Sequence, residues 1–256
     1  MIEAVVFDLD GILIDSEHVW DEVRQQLAEE RGGRWNDNAS RDMMGMSSLE
    51  WSRYMHDVVG LKEEPEEISA EVVRRLEDRY RRELPLIAGA QQAVERIAER
   101  WPLALASSSN RELIDLVLES SGLGRYFEAS VSSEEVARGK PAPDVFLEAA
   151  GRLDAEPTRC AAVEDSENGI LAAKAAGMRT IAIPNPQYPP HNDALAAADA
   201  VLTTIDDLSP AAVLSALEDT TPTGATRFCG SMAFSPRSDT SCYTRAGAMT
   251  RRRSPA

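Results

Sequence analysis

Four short stretches of this 256-residue chain carry side chains whose types and spacing could do chemistry. The first is Asp8-Leu9-Asp10-Gly11, directly after Ala4-Val5-Val6-Phe7. That apolar, β-branched run has the composition of a strand buried on both faces of a parallel sheet. Residues two apart on an extended backbone point the same way, so the carboxylates of Asp8 and Asp10 are expected side by side at the strand's C-terminal edge. Open α/β sheets bind their ligands at that edge. Two carboxylates a few ångströms apart repel unless a cation or a shared proton compensates them. Gly11 permits the sharp turn that must follow. Alone, Asp-X-Asp-Gly also fits a calcium loop or a plain solvated strand end.

The other three stretches each follow a short apolar run. Pro102–Ala106 leads into Ser107-Ser108-Ser109-Asn110, where a hydroxyl and free backbone N–H groups at a helix start could hold a phosphate oxygen. The same serine would equally serve as a helix cap. Lys140 stands between Gly139 and Pro141 in a loop stiffened by Pro141 and Pro143. Held near a phosphate, its ammonium would offset the charge that repels an attacking carboxylate; otherwise it is surface solvation. Cys160–Val163 ends in Glu164-Asp165-Ser166. Adjacent residues of a strand face opposite sides, so Glu164 and Asp165 can converge only if the chain is already turning there. Such oxygen ligands suit Mg²⁺, or they form an acidic first turn for the next helix.

The elements that must position these groups are legible as alternating patterns. After Ser16 the pattern becomes helical, with Val19, Trp20, Val23, Leu27 and Ala28 spaced along His18–Arg31 and Gly32-Gly33 as the stop. Two further helical stretches are expected over about 39–59 and 66–83. Residues 16–85 thus read as an all-helical insert between the first strand and the rest. Its cluster of Met43, Met44, Met46, Trp51 and Met55 reads chiefly as packing between helices, and Arg74, Arg75, Arg79, Arg81 and Arg82 as a solvated face. From Pro85 onward strands and helices alternate. Strands are expected at 102–106, 129–132, 160–163, 180–183 and 200–202, and helices after Asn110, over 144–152, up to Ala176 and over 209–218. This alternation implies an α/β fold with a doubly wound, parallel, Rossmann-like sheet and right-handed crossovers. The expected division is a core of 1–15 and 86–219, a helical cap of 16–85, and a disordered tail of 220–256 without periodicity.

Composition narrows the partners. The net charge of −16 argues against nucleic acid or acidic membranes. It is uneven, with +5 on residues 220–256 and −21 on the rest. No run of about 18 apolar residues spans a membrane. The first strand begins at once, which leaves no room for a signal peptide. Cys160, Cys229 and Cys242 follow no metal spacing, as expected in a reducing cytoplasm, and Cys160 reads as a core residue. A monomer is the default expectation.

Taken together, Asp8-X-Asp10-Gly, Ser107 after a second strand, Gly139-Lys140-Pro141 and Glu164-Asp165-Ser-X-X-Gly-Ile resemble the four motifs of the haloacid dehalogenase-like (HAD) superfamily, in order over residues 1–218. The nearest resemblance is to the β-phosphoglucomutase-like enzymes and small sugar-phosphate phosphatases. The resemblance implies a role for each matching position. Asp8 would be the nucleophile that becomes an aspartyl-phosphate. Asp10 would protonate the leaving oxygen and then deprotonate the attacking water, for which it must hold a proton well above its reference pKa of about 3.9. Mg²⁺ would be held by Asp8, the Asp10 backbone carbonyl, Asp165 and Glu164, the last directly or through water. Ser107, Ser108 and Lys140 would hold the phosphoryl group, and the cap would exclude water. The partner would be a small phosphorylated metabolite, such as a sugar or polyol phosphate.

Three other readings share some or all of these residues. A β-phosphoglucomutase-type phosphomutase usually presents a His on the first cap helix and a basic residue in the cap loop, where this chain has Trp20 and Ser48; His18 lies two positions away. These departures favour hydrolysis. A dehalogenase would lack the second acid that Asp10 provides. A phospho-aspartate regulatory protein would need neither Asp10 nor a cap.

Overall fold

The computed structural model describes residues 1–36, 38–43 and 46–216, so the tail expected at 220–256 lies outside the described residues. Six strands form one parallel sheet: β1 (Ala4–Phe7), β2 (Leu103–Ser107), β3 (Phe127–Ser132), β4 (Cys160–Glu164), β5 (Arg179–Ala182) and β6 (Ala200–Val201). Their spatial order is β3-β2-β1-β4-β5-β6. The chain therefore builds outward from β1 to β3, returns, and builds the other way from β4. The reversal lies between β1 and β4, which pair directly from Ala4↔Cys160 to Phe7↔Val163. A crevice opens at the C-terminal edge of such a switch point. All four chemistry-bearing stretches follow strands of this sheet or the loop beyond β3, so parallel pairing brings them to one edge.

Side-chain alternation divides the sheet's two faces by size. Val5, Phe7, Leu103, Leu105, Val163 and Ile181 belong to one buried cluster, and Ala4, Val6, Ala104, Ala106 and Ala162 to the other. Helices α5 (Ala90–Ala98) and α6 (Arg111–Ser121) contribute to the large-residue cluster. Helices α7 (Asp144–Arg152) and α8 (Glu167–Ala175) bring Ala149, Ala150, Ala172 and Ala173 to the alanine-rich cluster. Small residues on both sides let these two helices approach the sheet closely, which fixes the start of α8 against the end of β4. Cys160 is fully buried in this second cluster, as expected.

The insert between β1 and β2 is helical: α1 (Glu17–Glu30), α2 (Ala39–Met43), α3 (Ser48–Tyr54) and α4 (Pro65–Arg82). The single helical stretch expected at 39–59 is in fact broken. Helix α3 begins afresh because the Glu50 carboxylate accepts from both the N–H and the hydroxyl of Ser47. It continues as a wider turn over Met55–Val59 and stops at left-handed Gly60. The arginine face of α4 is solvated as expected, with Arg74, Arg75, Arg79 and Arg81 paired to Glu71, Glu30, Glu22 and Glu77. Helix α9 (Asn192–Ala197) was not anticipated. Helix α10 (Pro210–Ser215) is observed where a helix to 218 was expected, its last residues lying outside the described ones. Among the described residues no helix is long and apolar enough to cross a membrane.

Candidate active site

Asp8 leaves the end of β1, and its N–H donates to the Val163 carbonyl of β4 at 3.0 Å. This places its carboxylate over the switch point. Lys140 arrives from the loop after β3 and is almost completely buried. Its Nζ donates to Asp8 Oδ1 at 2.6 Å, to Glu164 Oε1 at 2.7 Å and to the Ala106 carbonyl at 3.1 Å. All three ammonium protons are thus placed. Burial works against the Lys140 charge, but the Asp8 and Glu164 carboxylates outweigh it and hold the amine above its ordinary range.

Glu164 is the last residue of β4, and Asp165 is the first residue past it, so the two do converge where the chain turns. The other oxygen of Glu164 accepts from the backbone N–H groups of Asp165 and Ser166 and from the Ser166 hydroxyl at 2.8–3.0 Å. Ser166 also caps α8 by accepting from the Gly169 N–H at 3.1 Å. The carboxylate of Glu164 therefore sits at the positive end of a helix. Two glycines make room for the acids. A Cβ on Gly11, whose φ is +78°, would lie 2.0 Å from Asp165 Oδ2, and one on Gly169 would lie 1.6 Å from Glu164 Oε1. Gly169→Ala is accordingly expected to lower activity at least 100-fold by displacing Glu164, an order set by how steeply catalysis depends on ~1 Å of placement. Steady-state assays beside a circular dichroism spectrum check it; undiminished kcat/KM would contradict it.

Asp8, Glu164 and Asp165 each offer a carboxylate oxygen within 4.8 Å of the others, all three buried. Burial, with repulsion from Glu164 and Asp10 and against the pull of Lys140, raises the Asp8 carboxyl well above its ordinary range. Burial and the charges of Glu164 and Asp8 do the same to Asp165. One ammonium among three buried carboxylates leaves negative charge uncompensated, and a hard, all-oxygen donor set fits Mg²⁺.

Asp10 occupies different surroundings. Its Oδ1 accepts from the Ser16 hydroxyl at 2.6 Å and the Trp20 indole N–H at 3.3 Å. Its Oδ2 accepts from the hydroxyls of Ser109 at 2.7 Å and Ser107 at 3.4 Å. Asp8 and Asp10, expected side by side, line the same cleft but have different partners: Asp10 is held by hydroxyls and an indole, Asp8 by Lys140. The strand ends at Phe7, so the period of two does not carry through Asp10. Ser16 precedes α1 without capping it by its side chain; the hydroxyl goes to Asp10 instead.

Of the three residues assigned to phosphate, Ser108 and Lys140 line the cleft. Ser107 is fully buried behind them, its hydroxyl accepting from the Ser109 N–H at 3.0 Å. Ser109 lines the cleft in addition and was not singled out; its place two residues beyond Ser107 was the available signal. The insert closes the cleft with Glu17, Trp20, Arg24, Met43, Met46 and Trp51. Part of the Met and Trp cluster thus faces the site, although Met43 and Trp51 are also core.

Arg24 is buried, with its guanidinium carbon 4.5 Å from the Trp20 ring centre and 4.7 Å from that of Trp51. Desolvated cation–π contacts of this kind contribute about 2 kcal/mol. Burial pulls its pKa down to about 10 against the attraction of Glu17, Asp21 and Asp10. Burial, then the Asp10 charge, pushes Glu17 up to about 7. A carboxyl raised on folding binds its proton more tightly in the folded state, so its contribution to stability falls as pH climbs from about 4.5 to about 7. Chelated Glu17→Gln protein is expected to lose less melting temperature across that window than chelated wild type. Parallel pH dependence of the two would contradict it.

A family model for haloacid dehalogenase-like hydrolases matches residues 2–177. The chain belongs to the haloacid dehalogenase-like hydrolases. The matched span includes β1 to β4 and all four chemistry-bearing stretches. Hexitol phosphatase B from Escherichia coli (strain K12) is 34% identical over 196 residues, covering 73% of this chain and 85% of its own. The phosphorylated carbohydrates phosphatase of Thermotoga maritima is 31% identical, over 70% of this chain and 84% of its own. The crystal structure of a CbbY mutant from Rhodobacter sphaeroides in complex with xylulose-(1,5)bisphosphate superimposes with a TM-score of 0.74 at 26% identity, covering 83% of this chain and 99% of that one. This haloacid dehalogenase-like hydrolase is thus an enzyme of the phosphatase class.

Proposed function

We propose that this chain is a Mg²⁺-dependent phosphatase that hydrolyses a small sugar or polyol phosphate through a phosphorylated Asp8. The observation that carries the reading is the division of labour between two carboxylates on one turn. Asp8 shares the cation pocket with Lys140, Glu164 and Asp165. Asp10 is held by three hydroxyls and an indole. Two acids in contrasting surroundings can carry contrasting roles.

In the first step an oxygen of Asp8 forms a bond to phosphorus, and the bond from phosphorus to the ester oxygen breaks. That oxygen leaves with a proton from Asp10. In the second step water attacks the same phosphorus, Asp10 takes the proton, and inorganic phosphate departs as the Asp8 carboxylate is restored. Ser108 and Lys140 steady the phosphoryl oxygens, with Lys140 reducing their repulsion of Asp8, while Ser107 lies behind them and its hydroxyl meets Asp10 and the Ser109 N–H. Asp8, Glu164, Asp165 and the Asp10 carbonyl would hold Mg²⁺, which supplies further positive charge against those oxygens. Residues 16–85 serve as the cap over a core of 1–15 and 86–219, excluding bulk water.

The relatives named for hexitol and phosphorylated-carbohydrate phosphatase activity support the substrate class. Trp20 and Ser48 support water rather than a second sugar as the acceptor. Trp20 donates to Asp10, and Ser48 is buried and not among the residues lining the cleft.

Phosphate release from a panel of hexitol, hexose and pentose phosphates, with Mg²⁺ and with chelator, tests the reading. Turnover of at least one sugar or polyol phosphate is expected, falling at least 100-fold on chelation, an order taken from the several kcal/mol of charge stabilisation a metal supplies. Isomerisation of glucose 1-phosphate without phosphate release would replace it with the mutase.

A further inference from the structure

We propose that Arg24 sets specificity by receiving a second anionic group of the substrate, a carboxylate or a further phosphate, on the cap side of the cleft. The inference rests on the phosphatase reading above and names what lies beyond the scissile phosphate.

Helix α1 presents Trp20, Arg24, Leu27 and Ala28 on its buried side, so a cation stands where the helical spacing calls for an apolar residue. Arg24 is 5% exposed and lines the same cleft as Asp8 and Asp10. Among the described residues it has stacking contacts to Trp20 and Trp51 but no hydrogen bond or ion pair, and its Nε is enclosed without an acceptor. The other buried cation among the described residues, Lys140, has all its protons placed. Arginines on the exposed helix faces, such as Arg74, Arg75 and Arg152, have carboxylate partners. Arg24 differs from them in being both desolvated and unpaired.

A guanidinium left in that condition is costly unless an acceptor arrives. The two indoles it packs against, themselves edge to face, restrict its position, and its fork of N–H groups matches a carboxylate or phosphate through two parallel bonds. A neutral hydroxyl would satisfy one donor and leave the charge uncompensated. The nearby acids Glu17 and Asp21 act on Arg24 through space only, at no ion-pair distance. Asp8 and Lys140 already define the end that takes the scissile phosphate, so the anion that meets Arg24 must be a second one.

Substrates matched in the scissile phosphate decide the matter: glucitol 6-phosphate, 6-phosphogluconate and fructose 1,6-bisphosphate. Wild type is expected to favour one substrate with an anion at its far end over glucitol 6-phosphate by at least about tenfold in kcat/KM, mainly through KM, the order expected of a charge-assisted hydrogen bond. The favoured member, carboxylate or bisphosphate, identifies the anion. Arg24→Met should bring the ratio close to one, and Arg24→Lys should restore part of it. Tryptophan fluorescence of wild type gives a second readout independent of turnover and of the variants' folding. Gluconate or glucarate, which carry no phosphate to enter the Asp8 end, should perturb the Trp20 and Trp51 emission at concentrations at least about tenfold below those needed for glucitol. If all three esters are hydrolysed at equal efficiency and the anions bind no tighter than glucitol, the assignment of Arg24 is overturned while the phosphatase reading stands. If no ester is hydrolysed but the anions still bind preferentially, the phosphatase reading fails and Arg24 remains an anion site.

Discussion

Asp8→Asn is expected to lower phosphate release by about 10⁴-fold or more, the scale of losing a nucleophile in a site whose groups act as a unit. The substitution keeps the size and hydrogen-bonding shape of the side chain but removes the electron pair that attacks phosphorus. It also removes one of the charges around Lys140, so the variant should melt no lower than wild type. Burial and neighbouring acids hold the Asp8 carboxyl well above its ordinary range, and relief of that repulsion favours the neutral amide. Loss of activity with retained or raised stability separates a chemical role from a structural one. A variant with more than a few per cent of wild-type turnover would show that Asp8 is not the attacking group.

Lys140→Met is expected to act in the opposite sense, losing stability as well as activity. Methionine fills much the same volume, but Asp8 and Glu164 would be left buried without their cation. Breaking a buried ion pair from one side costs about 3–5 kcal/mol. The deficit should shrink as pH falls, because protonation of the acids removes the charge left uncompensated. Mg²⁺ should recover part of it at neutral pH, since the same carboxylates face the added cation. Urea denaturation at two pH values, with and without Mg²⁺, measures all three effects. An unchanged midpoint at neutral pH without metal would mean that Lys140 contributes no net compensation.

Much of this site was legible because each of its acids and its phosphate loop follows a buried strand. In a parallel sheet all such strands end at one edge, so Asp8, Ser107, Glu164 and Asp165 were bound to meet once the alternation was recognised. Gly11 was readable as the residue that turns after the strand, whereas the closeness of Gly169 to Glu164 is a tertiary fact. The partners of Asp10 were not legible from a strand period, because the chain leaves the strand at Phe7 and the hydroxyls of Ser16 and Ser109 come from a helix start and another strand's loop. Arg24 was missed for a different reason. It belongs to no strand end, and its signal was a charge on the apolar side of a helix, against two indoles that meet only after folding. The break between α2 and α3 had a local signal in Ser47-Ser48-Leu49-Glu50, a capping box that the apolar spacing around it obscured.

The central claim is that phosphorus passes through Asp8. Rapid mixing of enzyme and Mg²⁺ with ³²P-labelled substrate, followed by acid quench, tests it most directly. The account predicts labelled protein that hydroxylamine releases, as an acyl phosphate requires, with the label mapping to Asp8 and absent from Asp8→Asn. Phosphate release at full rate with no label on the protein at any quench time would instead mean direct attack by water.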